Sequence, residues 1–230
     1  MWRIILSIFI CTSLLACTSN EIGNSKDVNP DTIWFDYRIS GEEGKEEVTT
    51  MLQFRFGGEN GTTLVLNEPA GVELDGARIK GDSSKMTGAY YEVLKPISGF
   101  PGKHKIRFTD VNNKEYEEEF EFSTFNLKAG LPAEIKRSDL LLELEGLNAI
   151  DYVRIYASDT SFESPGINRV DTVQNGQLKI STTELNSLVN GPIRLELYRE
   201  QERQVKNGTK EGGRISITYG LKRKFELKAP

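Results

Sequence analysis

Apolar and polar residues alternate with a period of two along most of this 230-residue chain, and the pattern is strongest near its C-terminus. Successive side chains of a β-strand point to opposite sides, so this period predicts strands with one buried face. The alternation predicts an all-β fold in which sheets cover one another. In the last run a single residue, Arg223, interrupts the apolar odd-numbered positions, which are Ile215, Ile217, Tyr219, Leu221, Phe225 and Leu227.

The first half of the chain carries about seven shorter runs of this kind, separated by residues that favour turns. Short strands with turn signals about every 8–12 residues resemble the immunoglobulin-like β-sandwich, in architecture rather than in any specific family. The last two runs flank a loop of Asn and Asp residues at 110–114, which predicts a hairpin. The runs are 33–40, 48–56, 62–66, 72–74, 89–94, 104–109 and 115–122.

A boundary between two domains is indicated where the alternation lapses, between residues 123 and 136. This stretch contains Gly130, Pro132 and a cluster of charges, and similar short strand patterns resume after it. We therefore predict two tandem sandwich domains, over residues 31–124 and 125–230.

The second half adds two local signals to its strand patterns. Ser181 and Glu184 have the spacing of a capping box, in which the hydroxyl and the carboxylate each bind a backbone donor of the first helical turn. We expect a helix of one or two turns there. The runs 192–205 and 214–227 predict a closing hairpin around a polar loop.

The N-terminus has the layout of a removable signal rather than of a membrane span. One positive charge, Arg3, precedes an apolar run from Ile4 to Leu15, and this run is shorter than the about 20 residues that a membrane span requires. The run ends at Leu14-Leu15-Ala16-Cys17, which resembles a bacterial lipobox. A plain secretory signal cut elsewhere, with Cys17 incidental, is the alternative.

The resemblance implies a signal peptide over residues 1–16 and a lipid anchor at Cys17, whose acyl chains, such as palmitate, make the bilayer a permanent partner. Residues 17–30 are polar and without an apolar period, so we expect a flexible tether. By its resemblance to lipoproteins of enteric bacteria, the chain is expected at the outer membrane, because the residue after Cys17 is Thr18 rather than an aspartate. The whole is similar to small Bacteroidota lipoproteins of the cell envelope, although which side of the membrane it faces is open.

The cysteine count restricts the chemistry of the exported body. Cys11 leaves with the signal, so Cys17 is the one cysteine expected in the mature chain. An internal disulfide, a thiol nucleophile and a cysteine metal site are thereby excluded, and stability must come from core packing.

The remaining residues also predict a protein without catalysis, metal or cofactor. The net charge of −5 argues against a nucleic-acid partner, which requires a basic surface. His104 is the only histidine, it lies in a strand between lysines, and no Gly-x-Ser-x-Gly motif accompanies it. We expect His104 to be a surface strand residue.

The carboxylates form no recognisable metal site or catalytic pair in the sequence. Asp110 begins a segment like a calcium loop, but Lys114 and Glu115 occupy positions that need a ligand and a glycine. No pair of the 34 acidic residues is singled out by sequence as a glycosidase pair. An acidic row along one strand is either a docking edge for a basic partner or a solvated face, namely Glu115, Glu117, Glu119 and Glu121.

Two aromatic positions are candidate ligand contacts. Trp34 falls on the outward face of its strand if Phe35 and Tyr37 point inward, and an outward ring can stack on a sugar or anchor a protein. Of Tyr90 and Tyr91 one ring points inward and one outward, and Tyr90 is the candidate contact. Alternatively such a ring seals a sandwich end or an inter-domain joint. The segments around Thr32 and Thr172 resemble a short O-glycosylation motif of Bacteroidota, a motif that also occurs by chance.

Together these observations predict a lipid-anchored, exported lipoprotein that acts as a non-catalytic binding or structural module of the cell envelope. The alternative is a carbohydrate-binding or carbohydrate-cleaving surface protein. A third hypothesis is an accessory subunit docked on an outer-membrane complex. A protein or glycan of the envelope is the expected partner besides the bilayer.

Overall fold

The computed structural model describes residues 22–161 and 163–229, which form eighteen strands, one α-helical turn and three short 3₁₀ helices. In the first half the strands are β1 (Ile22–Asn24), β2 (Ile33–Glu42), β3 (Glu47–Phe56), β4 (Thr62–Val65), β5 (Gly71–Leu74), β6 (Ala77–Arg78), β7 (Gly81–Ser84), β8 (Gly88–Pro96), β9 (Gly102–Thr109) and β10 (Glu115–Phe122). The 3₁₀ helices are Ser25–Asp27, Pro30–Thr32 and Ile97–Gly99.

The second half continues with β11 (Asn126–Leu127), β12 (Glu134–Lys136), β13 (Leu140–Glu145), β14 (Ile150–Ser158), β15 (Ile167–Gln174), β16 (Gln177–Ile180), α1 (Thr182–Leu185), β17 (Gly191–Gln204) and β18 (Gly213–Lys228). The strands fall close to the alternating runs in the sequence. The exceptions are the short strands β1, β6, β7, β11 and β12, which are too brief to show a period.

In the first sandwich, one sheet runs β4-β3-β2-β18, with β8 and β7 extending it beside β3, and the facing sheet runs β10-β9-β5-β6. Phe35, Phe54 and Phe108 lie between the sheets and are fully buried. The Phe54 and Phe108 rings stack with centroids 4.6 Å apart, and Phe35 meets Phe108 edge-on at 5.0 Å. These rings fill the space between the layers with apolar area in favourable geometry.

The second sandwich is built from β17, β14 and β15 on one side and from β16 and β13 on the other, joined by the turn between β15 and β16. Val153 and Ile155 of β14 and Leu142 and Leu178 of the other layer are buried in the same core. The predicted fold class is confirmed: the chain is all-β and consists of two tandem immunoglobulin-like β-sandwiches.

One hairpin, β17 and β18, runs through both sandwiches. Its strands pair without interruption from Gly191 opposite Leu227 to Gln204 opposite Arg214. Residues 213–220 of β18 also pair in parallel with β2, whereas residues 194–198 of β17 pair with β14. The predicted boundary places the whole hairpin in the second domain, yet its tip completes a sheet of the first sandwich. The boundary between residues 124 and 125 stays a prediction.

Most of the expected flexible tether over residues 17–30 is instead packed on the first sandwich. From Ile22 the chain lies on the first sandwich, where β1 pairs in parallel with β4. Ser25 is buried and its hydroxyl accepts a hydrogen bond from the Asn67 backbone at 2.8 Å. Residues 22–30 are therefore not a flexible tether, because backbone pairing and a buried polar contact hold them. Residues 17–21 lie outside the described part of the chain.

Two local predictions from sequence are confirmed. The hairpin of β9 and β10 pairs over its whole length, from Gly102 opposite Phe122 to Thr109 opposite Glu115. At α1, Ser181 accepts from the Glu184 backbone while the Glu184 carboxylate binds the Ser181 backbone, which completes the capping box. No helix in the described part of the chain is long and apolar enough to cross a membrane.

Candidate binding face

Exposed aromatic residues gather on the outer side of the second sandwich, at positions where alternation normally places polar residues. On β14 the side chains of Tyr152 and Tyr156 are 59% and 37% exposed, and Val170 on the neighbouring β15 is 50% exposed. Tyr198 of β17 lies beside them, since Arg154 pairs with Tyr198 in register. We call this surface the tyrosine face and define it by Tyr152, Tyr156, Val170 and Tyr198.

Tyr198 is held against the sheet by a glycine on the next strand. Gly220 of β18 pairs with Tyr198, and a Cβ at Gly220 would lie 2.6 Å from the Tyr198 ring carbon Cε1. Only a residue without a side chain therefore lets this ring lie over β18. Tyr156 meets the Tyr198 ring edge-on, with centroids 6.0 Å apart.

The Tyr198 hydroxyl is fixed as well. It donates a hydrogen bond to Glu196, two residues earlier on the same face of β17. Burial, together with this hydrogen bond and the charge of Glu196, raises the pKa of Tyr198 well above its usual value. The hydroxyl is thus a neutral donor at physiological pH, and its ring and the Glu196 carboxylate are positioned together.

Charged side chains on the tyrosine face are paired, one pair between β14 and β17 and the other along β17. Arg154 Nε donates to Glu200 Oε2 at 2.7 Å, and the Arg154 guanidinium lies 5.9 Å from the Tyr156 ring centroid. Arg194 lies 3.8 Å from Glu196. Because these ion pairs lie between the tyrosine rings, the tyrosine face offers both apolar surface and hydrogen-bonding groups to a ligand.

Two grooves cross the tyrosine face. The first, of about 600 Å³, lies along Tyr156 and Tyr198 and reaches the loop before β15 at Pro165. The second, of about 490 Å³, lies along Tyr152 and Val170. Both include Glu200 and Thr218, so they meet at the centre of the sheet. Their volumes are in the range of small-molecule sites, and aromatic groups with a few polar groups are typical linings of such sites.

A larger cavity, of about 780 Å³, lies at the junction of the two sandwiches beneath the hairpin. Arg199 in its wall is buried and binds Asp151 at 2.9 Å as well as the hydroxyl of Ser123. Arg203, also in the wall, binds the buried Glu118. These charges join the hairpin to both halves of the chain, so we interpret this cavity as part of the structural joint.

The two aromatic candidates from sequence lie elsewhere, on the outer side of the first sandwich. Trp34 is half-buried and lies against Gly212, beside the tip of the hairpin. Among the described residues no hydrogen-bond partner meets its buried Nε1 atom. Tyr90 donates to Asp82 at 3.2 Å on the next strand. The structure does not bring either residue to the tyrosine face, and their ligand role stays a prediction.

His104 is packed rather than simply exposed. Its ring stacks on Phe100 with centroids 4.0 Å apart, and Nδ1 lies 2.8 Å from the Asp75 carboxylate. The side chain is 12% exposed, so the expectation of a surface strand residue is wrong. The reason is the short 3₁₀ turn at Ile97–Gly99, which brings Phe100 over the strand.

The acidic row on β10 is exposed or half-buried as the period predicts, and two of its members are paired. Glu117 lies 2.9 Å from Lys105, and Glu115 lies 3.7 Å from Arg107. Burial opposes the effect of Lys105, yet its hydrogen bond is dominant and lowers the pKa of Glu117. Within residues 22–161 and 163–229, no group of three or more His, Cys, Asp or Glu residues is placed to hold a metal ion.

The two threonines of the glycosylation motif differ in setting. The Thr32 hydroxyl donates to the Asn29 carbonyl at 2.7 Å, inside a short 3₁₀ turn. Thr172 is exposed and pairs with Tyr152, so it lies directly beside the tyrosine face. Modification of either residue stays a prediction. Cys17, the predicted lipidation site, lies outside the described residues.

The fold places this chain in the broad class of tandem immunoglobulin-like β-sandwich proteins. No protein-family model matches the chain, and no curated protein matches it.

Several solved structures are similar to the chain at low identity. One is DIP-gamma IG1+IG2, at 10% identity and TM-score 0.24, covering 84% of this chain and 94% of that chain. Murine CEACAM1b has 9% identity and TM-score 0.21, covering 86% and 100%. A Bacteroides ovatus mixed-linkage glucan utilization protein, SGBP-B in complex with a heptasaccharide, has 11% identity and TM-score 0.20, covering 90% and 66%. At these scores the similarities carry no argument about this chain.

Proposed function

We propose that this chain is a lipid-anchored, non-catalytic binding module of the bacterial cell envelope, tethered through acylated Cys17 to the outer membrane, and that it binds through the tyrosine face. The observation that carries the binding role is the clustering of exposed tyrosines on a sheet surface with two grooves. Contiguous exposed apolar groups with polar neighbours mark interaction sites.

The position of the N-terminus supports a face held away from the membrane. Only residues 18–21 separate Cys17 from the first strand, which limits the reach of this link to about 18 Å. The first described strand, β1, pairs with β4, and the registers through β3 and β2 bring Ile22 level with Trp34, next to the residue of β2 that pairs with the start of β18. The chain therefore enters at the end of the first sandwich where the hairpin tip lies, at the far edge of the same sheet. The tyrosine face lies toward the other end of the same hairpin.

The length of the hairpin fixes this separation. From Gln204 at the tip to Tyr198 are six residues, or about 20 Å along the strand. Tyr156 pairs with Glu196 and lies further still. An anchored chain would therefore present the tyrosine face to the envelope space rather than to lipid headgroups.

Fractionation and photo-crosslinking in the native envelope test the two parts separately. The Cys17→Ala variant is expected to leave the membrane fraction, because it cannot carry acyl chains. For binding, a diazirine label on Thr172→Cys, beside Tyr152, is expected to give adducts with an envelope component. The matched control is the same label on Leu141→Cys, since Leu141 is 70% exposed on the other sheet layer.

The outcomes are separable. Adducts at Thr172→Cys that disappear in Tyr152→Ala Tyr156→Ala, with none at Leu141→Cys, support binding through the tyrosine face. Equal labelling at both positions contradicts it. Retention of Cys17→Ala in the membrane fraction contradicts the lipid anchor, whatever the labelling shows.

A further inference from the structure

The spacing of groups on the tyrosine face describes an elongated ligand. Tyr152 and Tyr156 lie on the same side of β14 four residues apart, which is about 13 Å. Between them Arg154 bridges to Glu200 at 2.7 Å. An aromatic ring, a hydrogen-bonding pair and a second aromatic ring thus follow one another along one strand, over the length of a short oligomer.

The charges on this face nearly balance. Two guanidinium groups, Arg154 and Arg194, and three carboxylates line the two grooves, which leaves one formal negative charge. Glu200 and Glu196 are paired with these arginines, and Glu202 accepts a hydrogen bond from Ser216 at 2.8 Å. Paired charges of both signs create no strong field of one sign, so neither a polyanion nor a polycation is drawn to the surface.

We infer, on the basis of the proposed binding function, that the ligand is a neutral oligosaccharide lying along β14 across both grooves. A sugar ring has a face of C–H groups that packs on a tyrosine ring and a rim of hydroxyls that hydrogen-bond to carboxylates and guanidinium groups. Along β14 the protein offers groups of the same two kinds in turn: a ring at Tyr152, the hydrogen-bonding pair of Arg154 and Glu200, and a ring at Tyr156. An uncharged ligand also suits a surface on which charges of the two signs nearly cancel.

The groove beside Tyr156 is preorganised. Tyr198 lies over Gly220 and donates to Glu196, so the Glu196 carboxylate is held at the groove wall. Tyr198 acts here as a positioning residue through Glu196. Groups that are ordered before binding lose little entropy when the ligand arrives.

A protein partner fits this surface less well. A stable protein interface takes about 800 Å² on each side, with an apolar centre from which charged residues are depleted. At the centre of the tyrosine face lies instead the Arg154 and Glu200 ion pair, between two concave grooves. Grooves with charges at the middle suit a polar chain better than a protein surface.

The test measures binding of the full chain, purified from membranes in detergent, to immobilised neutral linear glucan, mannan and galactan oligosaccharides. A sulfated glycan serves as the charged probe. We expect a neutral oligosaccharide to bind, the sulfated glycan not to bind, and Tyr152→Ala and Tyr156→Ala each to weaken binding about tenfold. Leu141→Ala, an exposed apolar position on the other sheet layer, is expected to leave the affinity unchanged.

A variant with a conservative change tests the positioning role. Tyr198→Phe keeps the ring over Gly220 but removes the hydrogen bond to Glu196. Its affinity is expected to fall about threefold, while its thermal unfolding stays within the range of the Leu141→Ala control. An unchanged affinity contradicts the positioning role of Tyr198.

Other outcomes overturn the ligand class. Stronger binding of the sulfated glycan, or loss of neutral binding in Tyr90→Ala but not in Tyr152→Ala, contradicts the inference. If no glycan binds while crosslinking at Thr172→Cys still depends on Tyr152 and Tyr156, the ligand is not a neutral glycan and the proposed binding function stands. If no glycan binds and the crosslinking at Thr172→Cys does not depend on Tyr152 and Tyr156, then both the glycan ligand and the proposed binding function are wrong.

Discussion

The joint between the two sandwiches depends on a buried ion pair, which Arg199→Leu would break. Arg199 and Asp151 are each 7% exposed, and Arg199 Nη2 lies 2.9 Å from Asp151 Oδ2. Arg199 also donates to the Ser123 hydroxyl in the linker after the first sandwich. The substitution therefore leaves a carboxylate buried without its cation and removes a contact between the two halves.

The expected cost follows from what Asp151 retains. Removing one partner of a buried ion pair costs about 3–5 kcal/mol. Asp151 keeps hydrogen bonds from the backbone and side chain of Asn148, each at 3.2 Å, and from the Tyr152 backbone at 3.0 Å. We therefore expect the lower limit, about 3 kcal/mol, or a fall in Tm of about 6–12 °C for a chain of this length.

Chemical and thermal unfolding of the two single variants and the double variant measure this pair. Because replacing both ions by apolar groups removes the uncompensated charge, Arg199→Leu with Asp151→Leu is expected to recover at least half of the loss. Lys105→Met breaks an exposed pair, with Glu117, and should cost under about 1 kcal/mol. A loss in Arg199→Leu no larger than this control would refute the reasoning.

Three further predictions concern other features of the fold. Burial raises the pKa of Asp36, but the hydrogen bonds and charges of Arg38 and Arg214 outweigh burial and lower this pKa below 3.8. The ionised Asp36 therefore stabilises the fold above pH 3.8, and this stabilisation is lost as the pH falls through the pKa of the folded state. Asp36→Asn should therefore lower the free energy of unfolding at pH 7 and flatten its decline in acid, in urea titrations between pH 7 and 2. Gly220→Ala should displace the Tyr198 ring and cost about 1–3 kcal/mol in urea unfolding, whereas Gly99→Ala, where a Cβ meets nothing within 4 Å, should not. Ser181→Ala removes a helix cap and should cost about 1 kcal/mol in the same assay.

The positions of most strands could be predicted because alternation is a local property of a half-buried strand. The runs at 104–109 and 115–122 correspond to β9 and β10 within two residues at each end. The pairing partners of a strand are not local, however. The run at 214–227 predicts β18 but not its parallel pairing with β2, because residues 178 positions apart, such as Gly213 and Phe35, share no pattern in the sequence.

The buried charges of Glu118 and Arg199 could have been predicted, because the alternation of each strand places these residues on its buried side. Glu118 shares the parity of Tyr116 and Phe120 on β10, so the alternation that placed those rings inside also placed this carboxylate inside. Arg199 likewise follows Leu197 on the inward side of β17. Their partners, Arg203 and Asp151, become visible only when the hairpin lies across both sandwiches.

The tyrosine face could have been found by the test that singled out Trp34 and Tyr90. Tyr152 and Tyr156 occupy outward positions of β14 in the same way, and both are more than a third exposed. Sequence could not have shown that Tyr198, on another strand, joins them over Gly220. That neighbourhood depends on the register between β14, β17 and β18.

The hairpin explains how a tethered module can combine a fixed joint with a distant binding surface. β17 is 14 residues long, or about 46 Å, and its pairing with β18 has no break at the junction. Bending the two sandwiches against each other would therefore require the loss of backbone hydrogen bonds as well as of the Arg199 and Asp151 pair. The chain enters the first sandwich at the end where the hairpin tip lies, and Tyr198 lies on β17 six residues from that tip. The direction of the tyrosine face relative to the predicted anchor therefore follows from the direction of this hairpin.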